Sequence, residues 1–260
     1  MYNSDPSHLL DLFRNPCSEK ITMRNTIILL VLAAFVGFAS SSYAQTARPQ
    51  PTDDTQFWSD VQVGIKLAKD KKNKELVTLL FGGVFRLGRD ISHPVDERAS
   101  VGIDFNLRKL AKNFNLKLTP GYLYQATQPF EGRKTYEHRL IFSATPEYTL
   151  NKFKFKDRNM FERRLRNSQP DSTRYRNRFE IEYAVKRGEN ELFRGFTADE
   201  VFYDWSENEW TRNRFTVGGR KDLDKAKHFM WEVYYLRQND AHAHPGDLHV
   251  IGTLLKIMVN

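Results

Sequence analysis

Along residues 174–185, RYRNRFEIEYAV, hydrophobic and polar residues alternate in steps of two. Arg174, Arg176, Arg178, Glu180 and Glu182 fall on one parity, and Tyr175, Phe179, Ile181, Tyr183 and Val185 on the other. A period of two predicts a strand with one charged and one apolar face. The same rule places Phe57, Val61, Val63, Ile65 and Leu67 on one face of 56–69, and Val77, Leu79, Phe81, Phe85 and Leu87 on one face of 75–89. It continues through Ala99, Val101, Ile103, Phe105 and Leu107, then Phe114, Leu116, Leu118, Tyr122 and Tyr124, then Tyr136, Leu140, Phe142, Ala144 and Tyr148. It is looser at 152–166, 210–220 and 227–235, where Phe153, Phe155, Phe161, Leu165, Phe215, Val217, Phe229, Trp231, Val233 and Tyr235 mark the apolar side. Segments 191–205 and 248–259 are apolar on both parities and leave their facing open. Eleven strand candidates without a convincing helix make the chain all-β.

Short basic or Gly/Asn turns fall near residues 71, 111, 151, 188 and 225, a hairpin repeat of 37 to 40 residues. Between the hairpins lie the polar stretches DISHPVDE, QPFEGRKT, NSQPDST and NDAHAHPGD. Short turns at one end and long loops at the other are the asymmetry of an outer-membrane barrel. With the short turns in the periplasm, a strand at 56–69 would begin outside. The sequence therefore predicts ten strands, with 56–69 incomplete, or twelve, with a further crossing ahead of it.

Ahead of the alternating region, MRNTIILLVLAAFVGFASSSYAQ has a basic start at Arg24, an apolar run from Ile27 to Phe38 and small residues at Ser42 and Ala44. This predicts a secretory signal peptide over 23–44, cleaved between Ala44 and Gln45. Twelve apolar residues are too few for a membrane-spanning helix, which needs roughly 20. Residues 1–22 are polar and carry Asp5, Asp11 and Glu19; they are expected to be a mis-assigned leader, with Met23 the true start. Residues 45–55 form a polar segment, and 56–260 a single barrel domain. Cys17, the one cysteine, precedes the expected cleavage site, so the mature chain has no disulfide or thiol chemistry. The net charge is +8 and is unchanged by removal of 1–44. Mean hydropathy is −0.61, and no second long apolar run occurs, which excludes a helical membrane protein.

Facing then decides location. If the apolar parity filled the barrel, its Phe, Tyr and Leu residues would exceed the space inside a small barrel. If it met lipid, those aromatics would form the apolar band and its girdles, and the charged parity would fill the lumen. An arginine facing lipid costs about 2–4 kcal/mol at mid-membrane, and the alternation avoids that arrangement. The expectation is a transmembrane antiparallel up-and-down β-barrel with a charged lumen, in a bacterial outer membrane. Its expected partners are outer-membrane lipids, lipopolysaccharide and the barrel assembly machinery, not nucleic acid.

FWSDVQVGIKL, FNLRKLAKNFNLKLTPGYLY, YEHRL, RYRNRFEIEY, FTADEVFYD, WTRNRFTVGG and YYLRQND run through nearly the whole mature chain. In these stretches the sequence resembles the bacterial family called domain of unknown function 2490, whose members look like outer-membrane β-barrels. The resemblance implies fold and location and carries no activity. Many outer-membrane barrels finish on an aromatic residue read during assembly, whereas this sequence finishes LLKIMVN.

The candidate chemistry is a cluster of lumen charges near the long loops: Arg98, Glu137, Arg139, Arg158, Glu162, Arg164, Arg174, Arg176, Arg178, Glu200, Arg212, Arg214 and Arg237. One reading is an interior salt-bridge lattice, because buried charges must be paired. The other is an anion path or anionic-ligand site, since arginine suits carboxylate and phosphate. His242, His244 and His249, with Asp240 and Asp247, fall in a Pro-Gly loop that is expected to be solvated rather than metal-binding. His138 lies on an apolar parity with no serine two residues away, while Ser143 has the opposite parity, so a lipid-hydrolase site is not visible. No phosphate loop, dinucleotide fingerprint or zinc knuckle occurs, and no cofactor is expected. The functional expectation is a narrow, anion-preferring channel or a structural envelope protein. The alternatives are a lipid-modifying enzyme on the same barrel and a soluble periplasmic binding barrel.

Overall fold

A computed structural model describes residues 52–259, apart from 72–74, 129–133, 189, 225 and 242–244. The expected leader, the signal peptide with its Ala44/Gln45 cleavage site, and most of the polar segment lie outside the described residues. Eleven strands follow in order: β1 (Asp53–Lys69), β2 (Glu75–Gly88), β3 (His93–Ala111), β4 (Phe114–Thr127), β5 (Thr135–Leu150) and β6 (Phe153–Arg166), then β7 (Ser172–Arg187), β8 (Asn190–Asp204), β9 (Glu209–Asp222), β10 (Phe229–Asp240) and β11 (Asp247–Val259). Each pairs with its neighbour in sequence, and β1 pairs with β11 to close the barrel.

The closing pair resolves the expected choice between ten and twelve strands: there are eleven. Segment 56–69 is part of a complete strand that starts slightly earlier, at Asp53. An odd number of hairpin-linked strands leaves the first and last pointing the same way, so they pair in parallel, from Asp53 opposite Asp247 to Ile65 opposite Val259. The other ten pairings are antiparallel, and the architecture is an all-β barrel with buried charged residues.

The connections differ from the expected asymmetry. The stretch DISHPVDE is mostly strand: β3 begins at His93, and only 89–92 form the loop. The other connections at that end are 128–134, 167–171, 205–208 and 241–246, so this end has connections of four to seven residues against two to six at the opposite end, 70–74, 112–113, 151–152, 188–189 and 223–228, an asymmetry weaker than expected. The two ends are called here the loop end and the turn end. Asn113, Asn151 and Gly188 take positive φ in three of the short turns, as residues tolerant of the left-handed region should. In the 89–92 loop Arg89, Asp90 and Ile91 all have positive φ, a strained run for non-glycine residues. It is held by Asp54, whose carboxylate accepts the backbone N–H groups of Arg89 (3.1 Å) and Asp90 (2.9 Å).

Register fixes which parity points inward. The ambiguous segments are settled by packing: Phe196, Phe202, Leu248 and Val250 turn inside, while Phe193, Trp205 and Ile251 face out. Gly218 and Gly252 flank Tyr234; a Cβ on Gly252 would collide with the tyrosine ring, so these glycines let that bulky side chain lie against the wall. Trp58, Leu236, Leu248 and Val250 form a small apolar core inside the loop-end half.

Candidate functional site

The interior of the loop-end half is a lattice of charge. Strand register sets acids and arginines across from one another: Glu162 opposite Arg174, Arg178 opposite Glu200, and Glu200 opposite Arg214. Arg174 donates twice to Glu162 Oε2, at 2.9 and 2.6 Å. Arg176 bridges two acids, with Nη1 at 2.7 Å from Glu162 Oε1 and Nη2 at 2.8 Å from Glu200 Oε1. Glu200 Oε1 also accepts from Arg158 Nη2 at 2.7 Å. Glu137 accepts from Arg139 Nε (2.9 Å) and Arg164 Nη2 (2.7 Å), and Arg164 Nη1 reaches Asp204 at 3.0 Å. Arg98 and Arg86 share Asp96, and Arg212 pairs with Asp240. Glu162 and Glu200 are 1% and 2% exposed, so their charges depend on the arginines around them.

Aromatic rings fill the space between guanidinium groups. Phe202 is completely buried, with the guanidinium carbons of Arg174, Arg176, Arg212 and Arg214 lying 4.7 to 5.4 Å from its ring centre. Arg86 stacks on Trp58 at 3.5 Å. Such contacts attract by about 0.5–2 kcal/mol each and let arginines sit side by side. Flat rings and flat cations thus pack together as a dense layer inside the loop-end half.

Of the residues expected in the lumen, Arg98, Glu137, Arg139, Arg158, Glu162, Arg164, Arg174, Arg176, Arg178, Glu200, Arg212 and Arg214 point inward. Arg237 does not. It shares its parity with the exposed Trp231, Val233 and Tyr235, while Leu236 and Gln238 take the inward positions, 3% exposed each. Near a strand end an outward arginine simply meets solvent, so its charge gave no guide to its facing.

A second ion-pair group lies toward the turn end, outside the expected cluster. Arg220 Nη1 donates to Glu180 Oε1 (2.9 Å) and Glu182 Oε2 (2.7 Å), and Lys156 Nζ donates to the same two acids at 2.9 and 3.0 Å. Glu180 and Glu182 share the parity of Arg174–Arg178, so the signal was present in the alternation. Arg178 turns toward this group and donates to Glu180 Oε2 at 3.2 Å rather than to the loop-end acids. Between this packed layer and the turn end lies a cavity of about 710 Å³, lined by side chains of both groups.

On the outer wall the described residues do not bring His138 and Ser143 together. His138 accepts or donates at Nδ1 to the Tyr122 hydroxyl at 2.6 Å and packs against Tyr124, whereas Ser143 is buried on the inner face at 4% exposure. His242 and His244 lie outside the described residues, and His249 pairs through Nδ1 with the Tyr235 hydroxyl at 2.7 Å. Among the described residues no group of three or more His, Cys, Asp or Glu is placed to hold a metal.

A family profile described as protein of unknown function (DUF2490) matches residues 55–249, from the start of β1 into β11. The chain belongs to this family. The DUF2490 match therefore spans both ion-pair groups, nine complete strands and parts of β1 and β11, so the family region is the barrel itself. No curated protein and no solved structure matches the chain.

Proposed function

We propose that this DUF2490 protein is an exported outer-membrane barrel whose lumen is sealed, serving the envelope as a structural or ligand-holding element rather than as an open pore. The observation that carries the membrane reading is the outer wall. Phe142, Phe161, Phe179, Phe215, Trp231 and Ile251, on six different strands, are each between 45% and 54% exposed, while most of the strands' charged residues point in. Exposure of that much apolar surface is costly in water and favourable in lipid. The strands, 12 to 19 residues long, exceed the roughly 9–11 residues a tilted strand needs to cross a bilayer. The seal argues against conduction, because a path along the axis must pass the fully buried Phe202 and the arginines around it.

A second reading, a soluble periplasmic barrel, rests on a break in the apolar wall. Asp157, Asn159 and Asn177 point outward on β6 and β7 and bond to one another, with Asn177 Nδ2 at 2.6 Å from Asp157 Oδ1, and Asn213 donates to the exposed Asp199 at 2.9 Å. The alternation therefore does not keep every charge off the outer face. The mutual hydrogen bonds lower the cost of exposing these groups to lipid. Membrane fractionation of the native protein, followed by electrophoresis with and without boiling, separates the readings. Membrane association with heat-dependent migration is expected, and recovery in the soluble periplasmic fraction would overturn the membrane proposal. In planar bilayers the purified barrel is expected to give no conductance steps, and large steady steps would overturn the seal.

A further inference from the structure

We propose that the cavity between the seal and the turn end is a binding site for a phosphorylated small solute that enters from the turn end. The cavity, about 710 Å³, falls in the size range of small-molecule sites, roughly 300–1,000 Å³. It runs from the buried side chains of Trp58 and Arg214 and reaches Thr149, two residues from the 151–152 turn. Twelve Arg and Lys side chains line it against five Asp and Glu. Much of that excess is balanced from behind: Asp96, Asp104, Glu162 and Glu182 hold lining cations without themselves lining the cavity. A guanidinium has five N–H donors, and one anchored at its back by an acid is oriented to present the others forward. The wall is thus a set of pre-positioned donors rather than a diffuse positive field.

Two observations show donors left over. Arg158 is held to Glu200 through Nη2, but its buried Nε has no hydrogen-bond partner among the described residues. Lys256 on β11 lines the cavity, and no salt bridge or hydrogen bond to it occurs among the described residues, although it sits in register with Gln62 and Met230 on the flanking strands. An ammonium within a closed strand wall, alone among paired neighbours, is spare charge for a ligand. Phosphate fits better than a single carboxylate because its three or more acceptor oxygens can meet donors converging from several strands: β6 with Arg158, β7 with Arg178 and β11 with Lys256. The site does not depend on what surrounds the barrel, so it stands or falls separately from the membrane reading.

The test is calorimetric titration of the purified full-length barrel, in a non-ionic detergent, with inorganic pyrophosphate against chloride at equal ionic strength. Saturable one-site binding is expected, weakened by added salt. Lys256→Met is expected to weaken it about tenfold or more, the scale of losing one charge-assisted hydrogen bond, while Lys256→Arg retains it. Arg158→Gln should weaken binding similarly, and Arg237→Gln, on the outer wall, should leave it unchanged. Because Lys256 has no ion-pair partner to orphan, its variants are expected to fold even if Arg158→Gln does not. Absence of saturable binding would overturn the proposal, and so would parent-like affinity in Lys256→Met, which would place the anion elsewhere.

Discussion

Removing the charge of Glu200 is the sharpest test of the lattice. Its Oε1 accepts from Arg158 Nη2 at 2.7 Å and from Arg176 at 3.2 Å (Nε) and 2.8 Å (Nη2), and Oε2 lies 3.8 Å from Arg214 Nη1. Three arginines thus share one carboxylate that is 2% exposed. Glu200→Gln keeps the shape and deletes the charge, leaving a desolvated positive cluster. Breaking a buried pair in this way costs about 3–5 kcal/mol, with the lower end appropriate where cavity water reaches Arg158. At a urea dependence of about 1–3 kcal/mol per molar, the unfolding midpoint should fall by about 1 M or more in detergent. Arg176→Gln added to Glu200→Gln should recover part of that loss, because one of the three unneutralised cations is then gone. The recovery is expected to be incomplete, since Arg176 also holds Glu162, which keeps Arg174 as its partner at 2.6 Å. A coupling of about 0.5–3 kcal/mol between the two sites is the expected scale for residues in one network. The reasoning fails if Glu200→Gln unfolds with the parent, or if the double variant is no better than Glu200→Gln alone.

Other expectations follow from the same geometry. Phe142→Arg, on the exposed outer face between Pro120 and Phe161, should destabilise the inserted barrel by about 2–4 kcal/mol if it lies near mid-membrane, while Arg237→Ala should change unfolding little; equal effects would mean the outer wall does not meet lipid. Phe202→Ala should cost about 3–5 kcal/mol and convert a silent barrel into one with measurable conductance in planar bilayers; a silent, stable variant would locate the seal elsewhere. Asp54→Ala should release the strained 89–92 loop, costing about 1–3 kcal/mol in urea unfolding and raising proteolysis there, and unchanged cleavage would count against Asp54 as its tether. Gly252→Ala should force Tyr234 off the wall and lower stability, an effect that Tyr234→Ala should relieve.

Local order was legible in the sequence because a strand with unlike faces writes its period directly into the residue order. The alternation gave the all-β class, the facing of β7 and the inward row Arg174, Arg176 and Arg178, since side-chain direction along a strand depends only on parity. Glu162 could be named for the same reason, whereas Glu200 lies in 191–205, whose facing parity alone left open. What parity cannot carry is register between strands distant in sequence. Arg220 of β9 reaches Glu180 and Glu182 of β7 past the intervening β8, a contact set by the register and curvature of three neighbouring strands. Nor could it carry the parallel join of β1 to β11, which brings residues 53–65 beside 247–259 and makes eleven a closed number. Segments apolar on both faces were undecidable until packing chose Phe202 for the interior, where four arginines surround it. The division of the lumen into a packed half and a cavity is likewise a property of volume. The sequence determines which side chains enter the barrel, and only the closed sheet determines how much room they leave.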